Sequence, residues 1–344
     1  MTRVGLIGYG TGGAVFHAPL IAATPGLDLT AVVTANPDRQ AQVRASHPGA
    51  TTVTSADELW DAVDLVVVTS PNRTHGPLAR AALEHGLAVV VDKPVTATAA
   101  EARELAALAH ERGLLFTVFQ NRRWDGDYRT VRRLVDTGAL GHVTRFESRF
   151  ERWRPVPKPG WKEQADPAAA GGILYDLGSH LVDQALHLFG PAASVYAEID
   201  RRREGAATDD DVFVAITHER GVRSHLWMSA VAAQNGPRFR VLGDRSAYTK
   251  YGLDPQEDAL RAGGVPGSPG WGQEPPEHWG LLGAGDDVRP EPTDPGAYQL
   301  FYAQVAAALS GGGPVPVDPA GPIAALEVIE AARDSARSGS PRPL

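Results

Sequence analysis

The chain contains no cysteine, so neither disulfides nor thiolate metal sites are possible. It also lacks a run of basic residues. Lys and Arg number 33 against 41 Asp and Glu, a net charge of −8. Recognition of a phosphate backbone needs clustered positive charge, so nucleic acid is not an expected partner. No apolar stretch approaches the roughly 20 residues of a membrane span. The N-terminus enters an apolar run directly and shows no signal peptide. No internal repeat is visible. At 344 residues the chain is long enough for two domains.

The most informative segment is Gly171 to Gly190, GGILYDLGSHLVDQALHLFG. It reads as a helix with two faces. Leu174, Leu177, Leu181, Ala185 and Leu188 recur at helical spacing as an apolar stripe. Asp176, His180, Gln184 and His187 recur on a neighbouring face, where side chains one turn apart can meet. A carboxylate one turn from an imidazole can fix the ring's tautomer and orientation, which suits proton handling. Taken alone, the segment is as well explained by a packed helix whose polar face meets solvent. A metal site is a poor fit, because no second cluster completes the ligands.

Two upstream segments favour chemistry. Val4-Gly5-Leu6-Ile7 is a short apolar run, and Gly8, Gly10 and Gly13 follow in the pattern G-x-G-x-x-G. Glycine permits a tight turn and close approach of backbone to a pyrophosphate, with helix N–H groups facing the anion. A helix carrying Val15, Phe16, Leu20 and Ile21 then leads to a second strand, Leu29 to Val33. The pattern by itself is weak evidence; between a strand and a helix it reads as a dinucleotide site. Val89-Val90-Val91 is a further apolar strand, ending abruptly in Asp92-Lys93-Pro94. Ligands of open parallel sheets sit beyond the carboxyl ends of strands, so Lys93 is placed to face one. Pro94 restricts Lys93 to extended backbone.

Strands are expected near Val4–Gly8, Leu29–Val33, Thr51–Val53, Leu65–Thr69, Leu87–Val91 and Leu115–Phe119. Ser55-x-x-Glu58 and Thr98-x-x-Glu101 have the form of capping boxes. This βαβ rhythm predicts a doubly wound parallel sheet over residues 1–120. Over 121–344 the pattern changes to an α+β domain. A helix is expected at Tyr128–Thr137. Longer strands follow at His142–Trp153, Ser194–Arg202, Asp211–His218, Arg223–Val231 and Phe239–Thr249, with Gly221 as a hairpin turn, in a large, mostly antiparallel sheet. Residues 254–294 read as a long loop, and Pro295–Leu309 and Pro322–Arg337 as closing helices.

The end of the second strand bears on the cofactor. Folds that prefer NAD place an acidic residue there for the ribose 2′-OH. Here the strand runs Val32-Val33-Thr34-Ala35-Asn36, with no carboxylate before Asp38. Thr34 and Asn36 can hydrogen-bond a 2′-phosphate and Arg39 can supply charge. NADP is therefore expected ahead of NAD, unless Arg39 is a solvated helix residue and the protein uses both.

Together these segments resemble the glucose-fructose oxidoreductase / inositol dehydrogenase / rhizopine catabolism (Gfo/Idh/MocA) family over essentially the full chain. The resemblance rests on the glycine fingerprint, the turn Ser70-Pro71-Asn72-Arg73-Thr74-His75, the Asp92-Lys93-Pro94 strand end and the Asp176-x-x-x-His180 helix. The family usually has Glu at position 92; Asp keeps the charge. Gln120-Asn121-Arg122-Arg123-Trp124-Asp125, Tyr175-Asp176-Leu177-Gly178-Ser179-His180 and Lys250-Tyr251-Gly252-Leu253-Asp254-Pro255-Gln256-Glu257-Asp258 resemble its NADP-using scyllo-inositol 2-dehydrogenase branch.

Composition agrees with a cytoplasmic enzyme, and the resemblance implies a metal-free dehydrogenase of a polyol or sugar, dimeric or tetrameric through the second sheet. Its cofactor residues would be Gly8, Gly10, Thr11, Gly12, Gly13, Thr34, Asn36, Arg39, Ser70, Pro71, Asn72, His75 and Lys93. Lys93, Asp176 and His180 fall on the positions that carry family chemistry. His180 would exchange the hydroxyl proton, Lys93 would stabilise the alkoxide, and Asp176 would orient His180 or bind a neighbouring hydroxyl. Asn121, Arg122, Trp153 and Asp183 are candidates for substrate contact. Sheet packing is an equal reading for Trp153, and an ion pair is the better one for Arg122 and Arg123. Helix capping remains open for His75, and core packing for His17. Another sugar dehydrogenase, or a non-catalytic NADP-binding sensor, would share this fold.

Overall fold

Short runs of branched aliphatic residues build the first sheet, whose strands are β1 (Thr2–Ile7), β2 (Leu27–Val33), β3 (Thr51–Val53), β4 (Leu65–Val68), β5 (Ala88–Asp92) and β6 (Phe116–Phe119). All pair in parallel, in the order β3-β2-β1-β4-β5-β6. Every residue of β4 is fully buried. Such uninterrupted apolar strands suit a sheet covered on both faces, as parallel sheets are. The strand order reverses beside β1, which makes the carboxyl ends of β1 and β4 the switch point of the sheet. The computed structural model describes residues 1–157, 163 and 166–344.

The helices of this unit are α1 (Ala18–Ala22), entered through one π-helical turn at Gly12–His17, then α2 (Pro37–Ser46), α3 (His75–Glu84) and α4 (Ala99–Glu111). Ser55 and Glu58 form a reciprocal capping box on a single 3₁₀ turn, Ala56–Glu58. The Thr98 side chain caps α4 by accepting from Glu101 N at 3.3 Å.

The second unit opens with α5 (Gly126–Asp136) and β7 (Val143–Glu151). A π-helical turn at Leu174–Gly178 runs into α6 (Ser179–Phe189), and β8 (Ala192–Asp200), β9 (Asp211–His218) and β10 (Arg223–Ser229) follow. Gly190 ends α6 at φ +80°, and Gly221, at φ +87°, turns β9 into β10. Beyond them come β11 (Phe239–Gly243) and β12 (Ala247–Lys250). The sheet is completed by β13 (Gly280–Ala284), β14 (Asp287–Glu291) and the C-terminal β15 (Arg342–Pro343). Its order is β14-β13-β12-β11-β7-β10-β9-β8-β15. Only β7 and β10 run parallel among the described pairs. The α6 helix packs on β7 and β10, and a final helix, running Ala320–Ser338, reaches β8, where Ser335 Oγ accepts from Ala197 N at 3.1 Å.

Two expectations need correction. Phe239–Thr249 is two strands, because Asp244 leaves the ladder: its carboxylate takes His142 N at 2.8 Å and its own N–H bonds His142 O at 3.1 Å. The expected loop at 254–294 holds a helix, α7 (Gln256–Arg261), and the β13–β14 hairpin. The chain also returns to the first unit, which comprises Met1–Asn121, Gln256–Trp271 and Ala297–Ala320. The remaining segments, Arg122–Pro255, Gly272–Gly296 and Gly321–Leu344, form the second. Buried polar contacts tie the returning pieces in place. Gln256 Oε1 accepts from Trp271 Nε1 at 3.0 Å and from Tyr298 N at 2.7 Å. Thr117 Oγ1, on β6, donates to Val317 O at 2.7 Å.

Candidate active site

The glycine loop follows β1, and each glycine has a separate reason. Gly8 sits at φ +100°, with the backbone of Thr69 and Ser70 3.0 Å from where a Cβ would lie. A Cβ on Gly13 would come within 2.2 Å of Gly8 O. A Cβ on Gly10 would meet nothing within 4 Å. The outer glycines thus serve the turn and the helix contact, while the middle one faces open space. That division matches a backbone approached by a pyrophosphate. Gly12 lies against the β5 end, 2.9 Å from Asp92 Oδ2 to its would-be Cβ. Thr11 is exposed at the head of the π-helical turn.

At the end of β2, Thr34 is buried and its hydroxyl accepts from Asn36 N at 3.4 Å. Asn36 is the N-cap of α2: its Oδ1 accepts from Arg39 N at 3.0 Å. Its amide NH₂ is not consumed by that cap. Asp38 and Arg39 are both exposed in the first turn of α2. The polar and cationic groups present suit a 2′-phosphate, with Thr34, Asn36 and Arg39 as the residues to hold it.

The ends of β4 and β5 lie side by side, with Val68 opposite Val91. Lys93 stands half-buried one residue beyond β5, its amide donating to Asp92 Oδ1 at 2.8 Å. Asp92 Oδ2 lies 3.8 Å from His17 Nε2. Burial opposes the Asp92 charge, but His17 and the Lys93 ammonium outweigh it and hold the carboxyl below its usual range. His17 is fully buried, with Nδ1 2.6 Å from the Tyr302 hydroxyl and its ring 4.2 Å from that of Phe119. Burial, with Asp92 adding to it, raises the Tyr302 phenol well above its ordinary value, so the hydroxyl keeps its proton.

After β4, Ser70 and Pro71 remain accessible while Asn72 is buried. His75 needs a correction as a cofactor contact. Its ring is 1% exposed, and both nitrogens face backbone carbonyls, Nδ1 at 2.8 Å from Pro94 O and Nε2 at 2.9 Å from Ser70 O. The ring has no surface left for a ligand. Nor does it cap α3, whose N-cap is Thr74.

In the second unit, Asp176 lies in the π-helical turn and His180 in the first turn of α6. π-Helical turns recur at functional sites. Asp209 anchors this helix start: Oδ2 accepts from Leu174 N at 2.8 Å and its carbonyl from Ile173 N at 2.9 Å. The expected polar face does not simply meet solvent. His180 is 4% exposed and Gln184 fully buried. Gln184 Nε2 donates to Arg122 O at 2.8 Å, and its Oε1 accepts from Arg238 Nη2 at 3.0 Å. His187 Nδ1 lies 2.6 Å from the Tyr128 hydroxyl. His187 is exposed at the surface, but the packing of its ring on Tyr128 desolvates it, and that first, then Arg123, lowers its imidazole to about 4.

The four candidates for substrate contact differ. Asn121 is buried in a 3₁₀ turn after β6. Arg122 is also buried; Nη1 donates to Asp125 Oδ2 at 3.2 Å and the guanidinium lies 4.7 Å over the Phe150 ring. Trp153 is 58% exposed, its backbone bridged to Val231. Asp183 is 2% exposed and gripped by Arg123, so its carboxylate has an internal partner. Sequence reasoning passed over Asp209 and Arg238, which have no periodic or motif signal. No group of three His, Asp or Glu suited to a metal occurs among the described residues, and no described helix is long and apolar enough to cross a membrane.

Two family descriptions match the chain: "Oxidoreductase family, NAD-binding Rossmann fold" at residues 2–120, and "GFO/IDH/MocA C-terminal domain" at residues 128–249. The uncharacterized oxidoreductase YdgJ of Escherichia coli is 42% identical, over 97% of this chain and 96% of its own. The scyllo-inositol 2-dehydrogenase (NADP(+)) IolW of Bacillus subtilis is 36% identical, over 97% and 94%. Among solved structures, yvaA of Bacillus subtilis superposes with a TM-score of 0.93 at 34% identity, covering 100% of this chain and 99% of that one. An oxidoreductase from Bacillus cereus does so at 0.88 and 28% identity, with the same coverage.

Proposed function

The chain belongs to the Gfo/Idh/MocA family of oxidoreductases, and from that premise we propose that it is an NADP-dependent dehydrogenase of a secondary alcohol on a polyol or sugar, with scyllo-inositol oxidised at carbon 2 as the best substrate. The observation that carries this reading is the combination, in one chain, of a strand-end lysine, Lys93, with a buried His180 one helical turn from Asp176. A protein that only sensed the nucleotide would have no need of all three. The likeness to the IolW protein, itself named for scyllo-inositol and NADP, supports the choice of substrate and cofactor.

In this reading His180 takes the hydroxyl proton as the alcohol is oxidised and returns it in the reverse direction. The Lys93 ammonium stabilises the negative charge that develops on the same oxygen. Asp176 orients the His180 ring or holds a neighbouring hydroxyl. The nicotinamide, when bound, supplies the hydride acceptor. Both domains would work in the cytoplasm as a homodimer or homotetramer paired through the second sheet, whose Phe213, Ala215 and Trp227 lie half-exposed on the face away from α6.

The test is nicotinamide absorbance with scyllo-inositol, a second inositol isomer and an aldose, each with NADP and NAD. Turnover of scyllo-inositol with NADP is the expected result. Turnover of the aldose alone would move the assignment to another sugar dehydrogenase. Tight NADP(H) binding without turnover across a broad panel would overturn the enzymatic reading in favour of a sensor.

A further inference from the structure

His75 has no place in the chemistry described so far, yet it is one of the most completely engaged side chains of the first unit. It is 1% exposed, and its two ring nitrogens reach two carbonyls from different strand ends: Nδ1 to Pro94 O at 2.8 Å, Nε2 to Ser70 O at 2.9 Å. Ser70 follows β4 and Pro94 follows β5, neighbouring strands of the parallel sheet. Carbonyl oxygens only accept, and a neutral imidazole carries a single N–H, so the neutral ring donates to one of the two carbonyls and its tautomer decides which. Burial lowers the His75 imidazole, while the Asp92 charge and the two carbonyls oppose that.

The residue between the held positions is Lys93. Asp92, before it, accepts the Lys93 amide and faces His17. Pro94, after it, is held by His75. A lysine carries its charge on a flexible four-carbon stem. Where the ammonium can go therefore depends on how firmly its backbone is fixed, and errors near 1 Å in a reacting group can cost roughly 100-fold in rate. We propose that His75 is a positioning residue for Lys93: by donating from Nδ1 to the Pro94 carbonyl it fixes the backbone next to the lysine. This rests on the reading of Lys93 as a group that acts on the reacting oxygen.

The two bonds can be cut separately. Asn at position 75 offers an amide near the place of Nδ1 and keeps the Pro94 bond; Gln offers one near Nε2 and keeps the Ser70 bond. Each variant removes one of the two ring contacts, so a purely structural role predicts equal effects. The positioning role predicts that His75→Gln lowers kcat by about tenfold or more while His75→Asn stays within about threefold, with KM and NADPH affinity little changed in both.

A readout free of turnover comes from the lysines themselves. The sequence has only Lys93, Lys158, Lys162 and Lys250. With ¹³C at the lysine ε-carbon, the Lys93 signal is identified by its loss in Lys93→Met. It should keep its wild-type position in His75→Asn and move in His75→Gln. Equal kcat losses with an unmoved Lys93 signal in both variants would overturn the proposal. Should His75→Gln not fold, the Pro94 bond is read in the wild type as a solid-state dipolar contact between ring-¹⁵N histidine and ¹³C′ proline. Its absence would equally overturn it. Wild-type turnover by Lys93→Met would remove the catalytic reading of Lys93, while the lysine signal still decides whether the Pro94 bond positions it.

Discussion

The Asp183 carboxylate holds the Arg123 guanidinium through two bonds, Nε to Oδ2 at 2.8 Å and Nη2 to Oδ1 at 2.7 Å, one turn along α6 from His180. Asp183 is 2% exposed and the Arg123 side chain 12% exposed. A planar guanidinium matched to a carboxylate gives direction as well as charge. The pair therefore anchors α6 to the turn at Asn121–Trp124.

Removing one partner leaves the other charge buried. Arg123→Met should cost about 3–5 kcal/mol of stability, read as a lower urea midpoint with an unchanged slope. Asp183→Asn should cost less, since the amide oxygen still accepts. If Asp183 instead bound substrate, its variant would raise KM and leave the urea midpoint in place.

For the cofactor, NADPH should bind more tightly than NADH, because no carboxylate ends β2 and the exposed Asn36 and Arg39 beside it offer a donor and a positive charge. Arg39→Ala should weaken NADPH by about tenfold or more and leave NADH within about twofold, since a charge-assisted hydrogen bond contributes roughly 1.5–3 kcal/mol. Fluorescence titration of both nucleotides checks it; tighter NADH binding by the wild type would defeat the argument.

For the chemistry, Lys93→Met and His180→Ala should each lower kcat by about 100-fold or more, as acid–base and charge-stabilising groups do. NADPH affinity should survive in His180→Ala, because Gly8, Gly10 and Gly13 and the other cofactor residues are untouched. Asp176→Asn should give a similar or smaller loss. Normal turnover by His180→Ala and Asp176→Asn would reduce their helix to packing, and by Lys93→Met would leave the β5 lysine outside the chemistry.

Stability should also depend on pH through His187. Its imidazole is lowered from 6.5 to about 4 in the fold. The unfolded chain thus binds the proton first, so stability falls as pH drops below 6.5 and goes on falling to about 4. His187→Gln should flatten that part of a thermal-melt profile. An unchanged slope would mean that desolvation and Arg123 do not hold the ring neutral.

Assembly is read from mass. The Phe213 and Trp227 rings lie 5.1 Å apart, and Arg149 stacks 3.9 Å over Trp227, on the half-exposed face of the sheet. Light scattering should give a multiple of 36.5 kDa, and Phe213→Glu should reduce it to the monomer mass. A wild type at 36.5 kDa would rule out pairing through this face.

Local order along the chain was enough for the parallel sheet and its ligand-facing end. The glycines at 8, 10 and 13, the run Val89–Val91 before Asp92, and the helical recurrence from Leu174 to His187 all depend on neighbours in sequence. Their backbone demands, a positive φ at Gly8 or a strand buried on both faces, are met by residue type alone. Tertiary structure decided the rest. The β13–β14 hairpin carries little alternation, and Pro290 is tolerated because β14 is an edge strand that need not donate from that position. The return of Gln256–Trp271 to the first unit depends on Gln256 meeting Trp271 and Tyr298 in a buried site, which composition cannot announce. His75 shows the same limit. Its type and place suggested a ligand contact, but the carbonyls of Ser70 and Pro94, 5 and 19 residues away, reach the ring only once β4 and β5 pair. A buried polar group takes whichever partner the fold brings, and that partner is far away in sequence.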